Sequence, residues 1–234
     1  MDWLSNKGSI GQMFSRVSGK YDFLNLVLSF GMDRKWRRLL VDIARCRAQD
    51  RVLDLCTGTG DIAVEFARRA AGVTGVDFSA EMLRNASEKA GRSDCPGRIR
   101  LVRADALRLP FGDSSFDIVS VGFGLRNLLD HRKGLIEMTR VLRPGGRLLI
   151  LEMTAPDRSL FGRLYRFYLR HALPRIARLF GDRTDGYAYL SASVRSFAGA
   201  GEVAHWLRSC GLADVSARKV SLGIAYIYNG RKPG

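Results

Sequence analysis

Three acids, Asp54, Asp77 and Asp105, each lie at or near the end of a short apolar run, and a glycine turn, Gly58-Thr59-Gly60-Asp61, follows the first. A carboxylate at the carboxyl end of a buried strand is where open α/β sheets take their ligands. Glycines at alternate positions let the backbone turn sharply and a ligand come close. Asp77 follows the turn by about twenty residues, the spacing of an acid that binds a ribose diol. Asp105 suits an adenine amino group, or equally a turn or cap. This set fits either a nicotinamide dinucleotide or S-adenosylmethionine, because Ala63 stands where a dinucleotide fingerprint has its third glycine or alanine. Asp61 favours the second, since a negative charge at a helix N-terminus opposes a pyrophosphate and suits a sulfonium. Further on, Arg126-Asn127 follows an apolar run directly, and offers a permanent cation and an amide to the same crevice.

The elements that must position these groups are legible in the periodicity. Val52, Leu53, Leu55 and Cys56 read as a strand buried on both faces, and Ile62–Ala67 as the helix after the glycine turn. Val73–Val76, Ile99–Arg103, Ile118–Val121 and Leu148–Glu152 read as further strands, with Leu142–Arg147 as a turn before the last. Ser79 and Asp130 are placed to cap helices reaching Lys89 and Val141, and Asp33 to cap one that begins at Arg34. Strands alternating with helices argue a parallel sheet. Val215–Leu222 and Ala225–Asn229, joined through Gly223, read as an antiparallel pair, after a helix Glu202–Cys210 closed by Gly211.

Two segments stand outside that alternation. Met13, Val17, Tyr21, Leu24, Leu28, Trp36, Leu39, Leu40 and Ile43 recur at helical spacing, a helical cap over residues 1–50. Residues 157–195 suit a long helical insertion, kinked at Pro174 and basic on its polar side through Arg158, Arg163, Arg166, Arg170, Arg175 and Arg178. Such a helix is either a lid with a solvated face or one that lies on a membrane. Tyr187, Tyr189, Ser191 and Arg195 fall in a segment that reads as irregular. One domain spanning 1–234 is expected.

Composition narrows the class. Of 234 residues, 46% are hydrophobic, which suits a globular chain. No apolar stretch reaches the ~20 residues of a membrane span, and the start lacks a signal peptide's apolar core. Cys46, Cys56, Cys95 and Cys210 form no C-x-x-C, so a reduced, cytoplasmic protein is expected. His131, His171 and His205 are scattered, and no metal site is expected. The net charge of +15 points to an anionic partner, a membrane surface or nucleic acid, or else to solvated arginine faces. The Asn/Asp-Pro-Pro-Tyr/Phe loop common in base N-methylating enzymes is absent, and nucleic acid is not the expected partner.

Five parallel strands followed by an antiparallel hairpin resemble the class I S-adenosylmethionine-dependent methyltransferases, a Rossmann-like seven-stranded, mostly parallel α/β sheet. The likeness narrows at Tyr21-Asp22-x-x-Asn25-x-x-x-Ser29-x-Gly31 with Arg34-x-Trp36, at Phe123-Gly124-Leu125-Arg126-Asn127, at Arg140–Gly146 with Glu152, and at Gly230-Arg231-Lys232-Pro233. These are similar to the motifs of the ubiquinone/menaquinone biosynthesis C-methyltransferases. Asp33 stands where many members have His, Glu152-Met153-Thr154 replaces Glu-x-Ser, and Ala198-Gly199 replaces a proline.

The resemblance implies methylation of a ring carbon of a polyprenylated quinol, demethylmenaquinol in the first instance. It implies cofactor contacts at Asp54, Gly58, Thr59, Gly60, Asp77, Asp105, Ala106 and Gly122. Arg126 would stabilise a developing phenolate, and Asn127 and Tyr21 would orient the hydroxyls. The base is open between Asp33, Asp22, His131 and a water. A polyprenyl substrate implies a peripheral position on the inner face of an anionic membrane, and a homodimer is compatible with the reading.

Overall fold

The structure is a computed structural model, and it describes residues 26, 29–70, 72–154, 159–173, 175 and 186–234. Seven strands form one sheet: β1 (Arg51–Leu55), β2 (Gly72–Asp77), β3 (Ile99–Arg103), β4 (Phe116–Gly122), β5 (Leu142–Met153), β6 (Ala213–Val220) and β7 (Ala225–Arg231). Their order is β3-β2-β1-β4-β5-β7-β6. The first five run parallel, β7 is antiparallel to β5, and β6 is antiparallel to β7. The order reverses between β1 and β4, which opens a crevice at the carboxyl ends of those two strands.

Alternate side chains go to opposite faces of the sheet, and both faces are covered. Val52, Ile118, Leu149, Leu151 and Ile227 pack with Trp36 and Leu40 of α1 (Asp33–Ala44) and Phe66 of α2 (Asp61–Ala67). Leu53, Val119, Leu148, Ile150 and Tyr228 pack with Leu135 and Met138 of α4 (His131–Val141) and Val203 and Leu207 of α7 (Ala200–Ser209). Between them in sequence lies α3 (Ala80–Gly91), capped by Ser79, whose Oγ accepts from Met82 N. Asp130 caps α4 in the same way, through Lys133 N.

Three expectations change. Asp33 does not cap a helix at Arg34; it is the first residue of α1, and the cap position falls to Met32. Ser29 Oγ accepts from Asp33 N at 3.2 Å and donates to Asp33 Oδ1 at 3.0 Å, so the serine performs the capping. The turn at 142–147 lies inside β5, not before it. Phe116 pairs Leu142 and Ile118 pairs Arg147, so the extra residues bulge out of the ladder. Gly145 takes φ +77 there, and a Cβ on Gly146 would meet the Arg143 and Asp117 carbonyls at 2.9 and 3.0 Å.

The third change is in the insertion. It contains α5 (Leu160–Phe167), a π turn over Tyr168–Ala172, and α6 (Gly186–Ser196) where an irregular segment is expected. Burial of Tyr189, Ser191, Ser193 and Val194 outweighs the weak helix propensity of a Tyr/Ser-rich run. Tyr21, Asp22, Asn25, Arg158, Pro174 and Arg178, with the roles expected of them, lie outside the described residues.

Candidate active site

The site grows from the two strand ends at the crevice. Cys56 follows β1 with φ +51, and Phe123 follows β4 with φ +57. Both are left-handed positions occupied by residues with side chains, a strain that gathers at functional sites. Gly58 and Gly60 continue the first turn at φ +56 and +85, and a Cβ on Gly60 would meet Ala86 Cβ at 3.1 Å. Cys56, Gly58 and Phe123 wall two adjoining clefts.

The larger cleft is lined by Asp77, Asp105, Ala106 and Asn127 among polar and small groups, with Val76, Met82, Leu107 and Leu128 as apolar walls. Asp77 is held at the end of β2. Its Oδ2 accepts from Gly58 N and its Oδ1 from Ser79 N, both at 2.9 Å. Burial pushes its carboxyl up, against the pull of those N–H groups. Asp105 Oδ1 accepts from Leu107 N at 3.0 Å, so it shapes its own turn as well as facing the cleft.

The smaller cleft is lined by Asp54, Thr59, Asp61, Gly122 and Arg37. Asp54 is fully enclosed and accepts from Thr57 Oγ1 and Ser120 Oγ, each at 2.7 Å. Burial raises its carboxyl pKa to about 6, opposed by both hydroxyls. At Gly122 a Cβ would overlap Ile62 Cδ1, so a larger residue there would have to displace that side chain.

Asp61 carries a different balance from the one its position in sequence suggests. Arg37 of α1 lies 3.0 Å from its carboxylate and Lys89 of α3 2.6 Å, and Lys89 also donates to Thr59 Oγ1 at 2.9 Å. The two cations offset its charge, so the repulsion of a pyrophosphate by Asp61 is weaker than its position alone implies. Gly58 N is itself taken, donating to Asp77 Oδ2. Asp77 and Asp105 give the larger cleft partners for a ribose and an adenine, both of which S-adenosylmethionine carries.

Arg126 lies behind Phe123 on a short 3₁₀ turn, Leu125–Asn127. Its guanidinium pairs with Glu152 of β5, and the two side chains are 1% and 0% exposed. Glu152 also accepts from Arg126 N at 3.1 Å and Met153 N at 2.9 Å. The guanidinium carbon is 5.9 Å from the Phe123 ring centre, and Arg126 lowers the pKa of Tyr165 against a larger rise from burial. Asn127 donates from Nδ2 to Phe123 O at 3.1 Å and accepts at Oδ1 from Tyr189 Oη at 2.8 Å.

Asp33 joins the smaller cleft indirectly: Arg37 bridges it, at 2.5 Å, to Asp61. His131 stacks on Trp206 at 5.2 Å in the seam between α4 and α7. Sequence reasoning gave no site role to Arg37, Lys89 or Ser120. It named Phe123 within the motif after β4 and Tyr189 within the insertion, without the contacts they make.

The chain matches the model of the ubiE/COQ5 methyltransferase family over residues 3–232. It is 42% identical to the ubiquinone/menaquinone biosynthesis C-methyltransferase UbiE of Geotalea daltonii, over 98% of this chain and 99% of that one. It is 43% identical to the demethylmenaquinone methyltransferase of Deinococcus radiodurans, over 96% and 92%. Among solved structures, an S-adenosylmethionine-dependent methyltransferase from Thermotoga maritima, described as a possible histamine N-methyltransferase, shares the fold. Its TM-score is 0.68 at 19% identity, over 95% of this chain and 99% of that one. The chain belongs to the ubiE/COQ5 methyltransferase family, and S-adenosylmethionine is its methyl donor.

Proposed function

We propose that the protein methylates a ring carbon of a polyprenylated quinol precursor, demethylmenaquinol in the first instance, at an anionic membrane surface. The observation that carries this reading is the likeness, at 42–43% over nearly the whole chain, to relatives named for quinone-precursor methylation. When bound, the cofactor supplies an electrophilic methyl on a sulfonium sulfur. The chain's residues do the rest. Asp77 binds the ribose diol and Asp105, with Ala106, the adenine edge. Gly58, Thr59 and Gly60 let the backbone approach, and Asp54 and Gly122 shape the methionine end.

A hydroquinone ring carbon becomes a strong nucleophile when the neighbouring hydroxyl loses its proton. Arg126, held in one orientation by Glu152, stabilises the phenolate oxygen as charge develops there. Asn127 and Tyr21 orient the acceptor. The base in this reading is one of Asp33, Asp22, His131 or a water. Cells lacking the gene should accumulate the unmethylated quinone precursor, read by mass spectrometry of the quinone pool; an unchanged pool would defeat the proposal.

The surface of α5 supports the membrane part. Leu160, Leu164 and Phe167 are 73, 60 and 63% exposed and share one side of the helix, opposite its buried Tyr165 and Leu169. Arg163, Arg170 and Arg175 are exposed beside them, and residues 159–175 contain no acid. An apolar stripe flanked by arginines suits an in-plane helix on anionic lipid. Among the described residues, no helix is long and apolar enough to cross a membrane.

A further inference from the structure

Tyr189 lies on α6 of the insertion, buried, and reaches across to the loop that follows β4. Its hydroxyl donates to Asn127 Oδ1 at 2.8 Å. Phe123 O can only accept, so Nδ2 must be the end that donates to it at 3.1 Å and Oδ1 the end that takes the Tyr189 hydroxyl, which anchors the amide in that orientation. Phe123 N in turn donates to Leu151 O at 2.8 Å. The Phe123 residue is thus held from β5 on its amino side and from Asn127 on its carbonyl side.

Holding is needed. Phe123 stands at φ +57, a left-handed region that strains a residue with a Cβ. Its ring is a wall common to both clefts, with the Arg37 and Arg126 guanidinium carbons 5.7 and 5.9 Å from its centre and Trp36 at 6.4 Å. A shift of this one residue would move the boundary between the adenosine side and the methionine side. It would also move the packing surface of Arg126.

We infer that Tyr189 is a positioning residue for methyl transfer: through Asn127 it holds Phe123 in its strained conformation, so that helix α6 sets the wall between the two clefts. The relay acts on the cofactor side of the reaction and holds whichever acceptor the enzyme methylates. Its loss should lower the rate of the methyl-transfer step, where alignment counts, and leave the ribose contact at Asp77 unchanged.

Tyr189→Phe keeps the ring and removes only the hydroxyl. Its kcat should fall about three- to tenfold, the scale of one neutral hydrogen bond. KM for S-adenosylmethionine should stay within about twofold, because Asp77 and Gly58 keep their mutual bond. Asn127→Ala breaks the next link, so the double variant should be no slower than Asn127→Ala alone. The control is Ser191→Ala, on the same helix, whose buried hydroxyl donates to Leu169 O at 2.8 Å and does not lead to Asn127. It should keep wild-type kcat.

Hydrogen–deuterium exchange needs no acceptor and is followed in parallel. The amides of residues 122–128 should exchange faster in Tyr189→Phe and not in Ser191→Ala, which decides the relay even if the quinol proves to be the wrong substrate. Three results would overturn the inference: wild-type exchange and kcat in Tyr189→Phe, losses that multiply in the double variant, or an equal loss in Ser191→Ala.

Discussion

Replacing Arg126 by methionine removes one charge from a buried pair and leaves the other in place. Glu152 is wholly enclosed and its partner's side chain is 1% exposed. A buried ion left unpaired costs about 3–5 kcal/mol. For a chain of this size each kcal/mol lowers Tm by about 2–4 °C, so Arg126→Met should melt roughly 6–20 °C below wild type. Glu152→Gln strands the guanidinium instead and should fall in the same range, less the bonds its amide oxygen still accepts from Arg126 N or Met153 N. The double variant Arg126→Met/Glu152→Gln removes both charges together and should recover most of the loss, since no unpaired ion is then left buried and the amide oxygen still has a backbone N–H to accept from. Activity should not follow stability. If Arg126 stabilises the phenolate, the double variant folds yet stays about 100-fold or more below wild type, the scale of one lost oxyanion donor. The assay is a thermal melt of each variant beside single-turnover methyl transfer. Single variants that melt like wild type would refute the buried pair. A double variant that regains both stability and turnover would leave Arg126 a purely structural residue.

Asp77→Ala should weaken S-adenosylmethionine binding by about 1.5–3 kcal/mol, the worth of hydrogen bonds to a charged group. Calorimetry giving wild-type affinity would leave Asp77 only its bonds to Gly58 and Ser79. Asp54 has a folded pKa raised from 3.8 to about 6, so its neutral form favours folding. That contribution is complete below about pH 4 and is lost as pH rises through 6, which at pH 7.5 amounts to a cost of about 3 kcal/mol. Asp54→Asn should therefore raise the Tm of the cofactor-free protein at pH 7.5, with the gain shrinking toward pH 4; a gain independent of pH would show that Asp54 is not titrating there. Vesicles rich in phosphatidylglycerol should sediment the protein in a salt-sensitive way, and Leu164→Ser/Phe167→Ser should weaken that binding about tenfold or more. Equal binding to neutral vesicles would remove the arginines from the account.

The strand ends were legible because they depend on local pattern. A short apolar run closed by an acid or a glycine turn marks Asp54, Asp77 and Asp105 without knowledge of any partner, and all three reach the crevice walls. Pairings across elements were not legible. Asp61 reads as a bare charge at a helix start, yet Arg37 and Lys89 come to it from two other helices. Arg126 and Glu152 were each visible as motif residues, but their pairing depends on β4 lying beside β5. Helix α6 was hidden because Gly186, its tyrosines and its serines dilute the helix formers Ala188, Leu190, Ala192 and Arg195; tertiary burial of Tyr189 and Val194 adds to them. The bulge in β5 had the right turn residues and the wrong context, since Pro144, Gly145 and Gly146 also suit an interruption inside a strand.

The central claim is transfer of a methyl group to a ring carbon of a quinol. It is tested by single-turnover reaction of the wild-type protein with labelled S-adenosylmethionine and a reduced, short-chain demethylmenaquinone, with the product identified by mass spectrometry and carbon NMR. One labelled methyl should appear on the ring carbon beside the hydroxyl, with one equivalent of S-adenosylhomocysteine. Label on a hydroxyl oxygen, or no transfer to the quinol while S-adenosylmethionine binds normally, would contradict the claim.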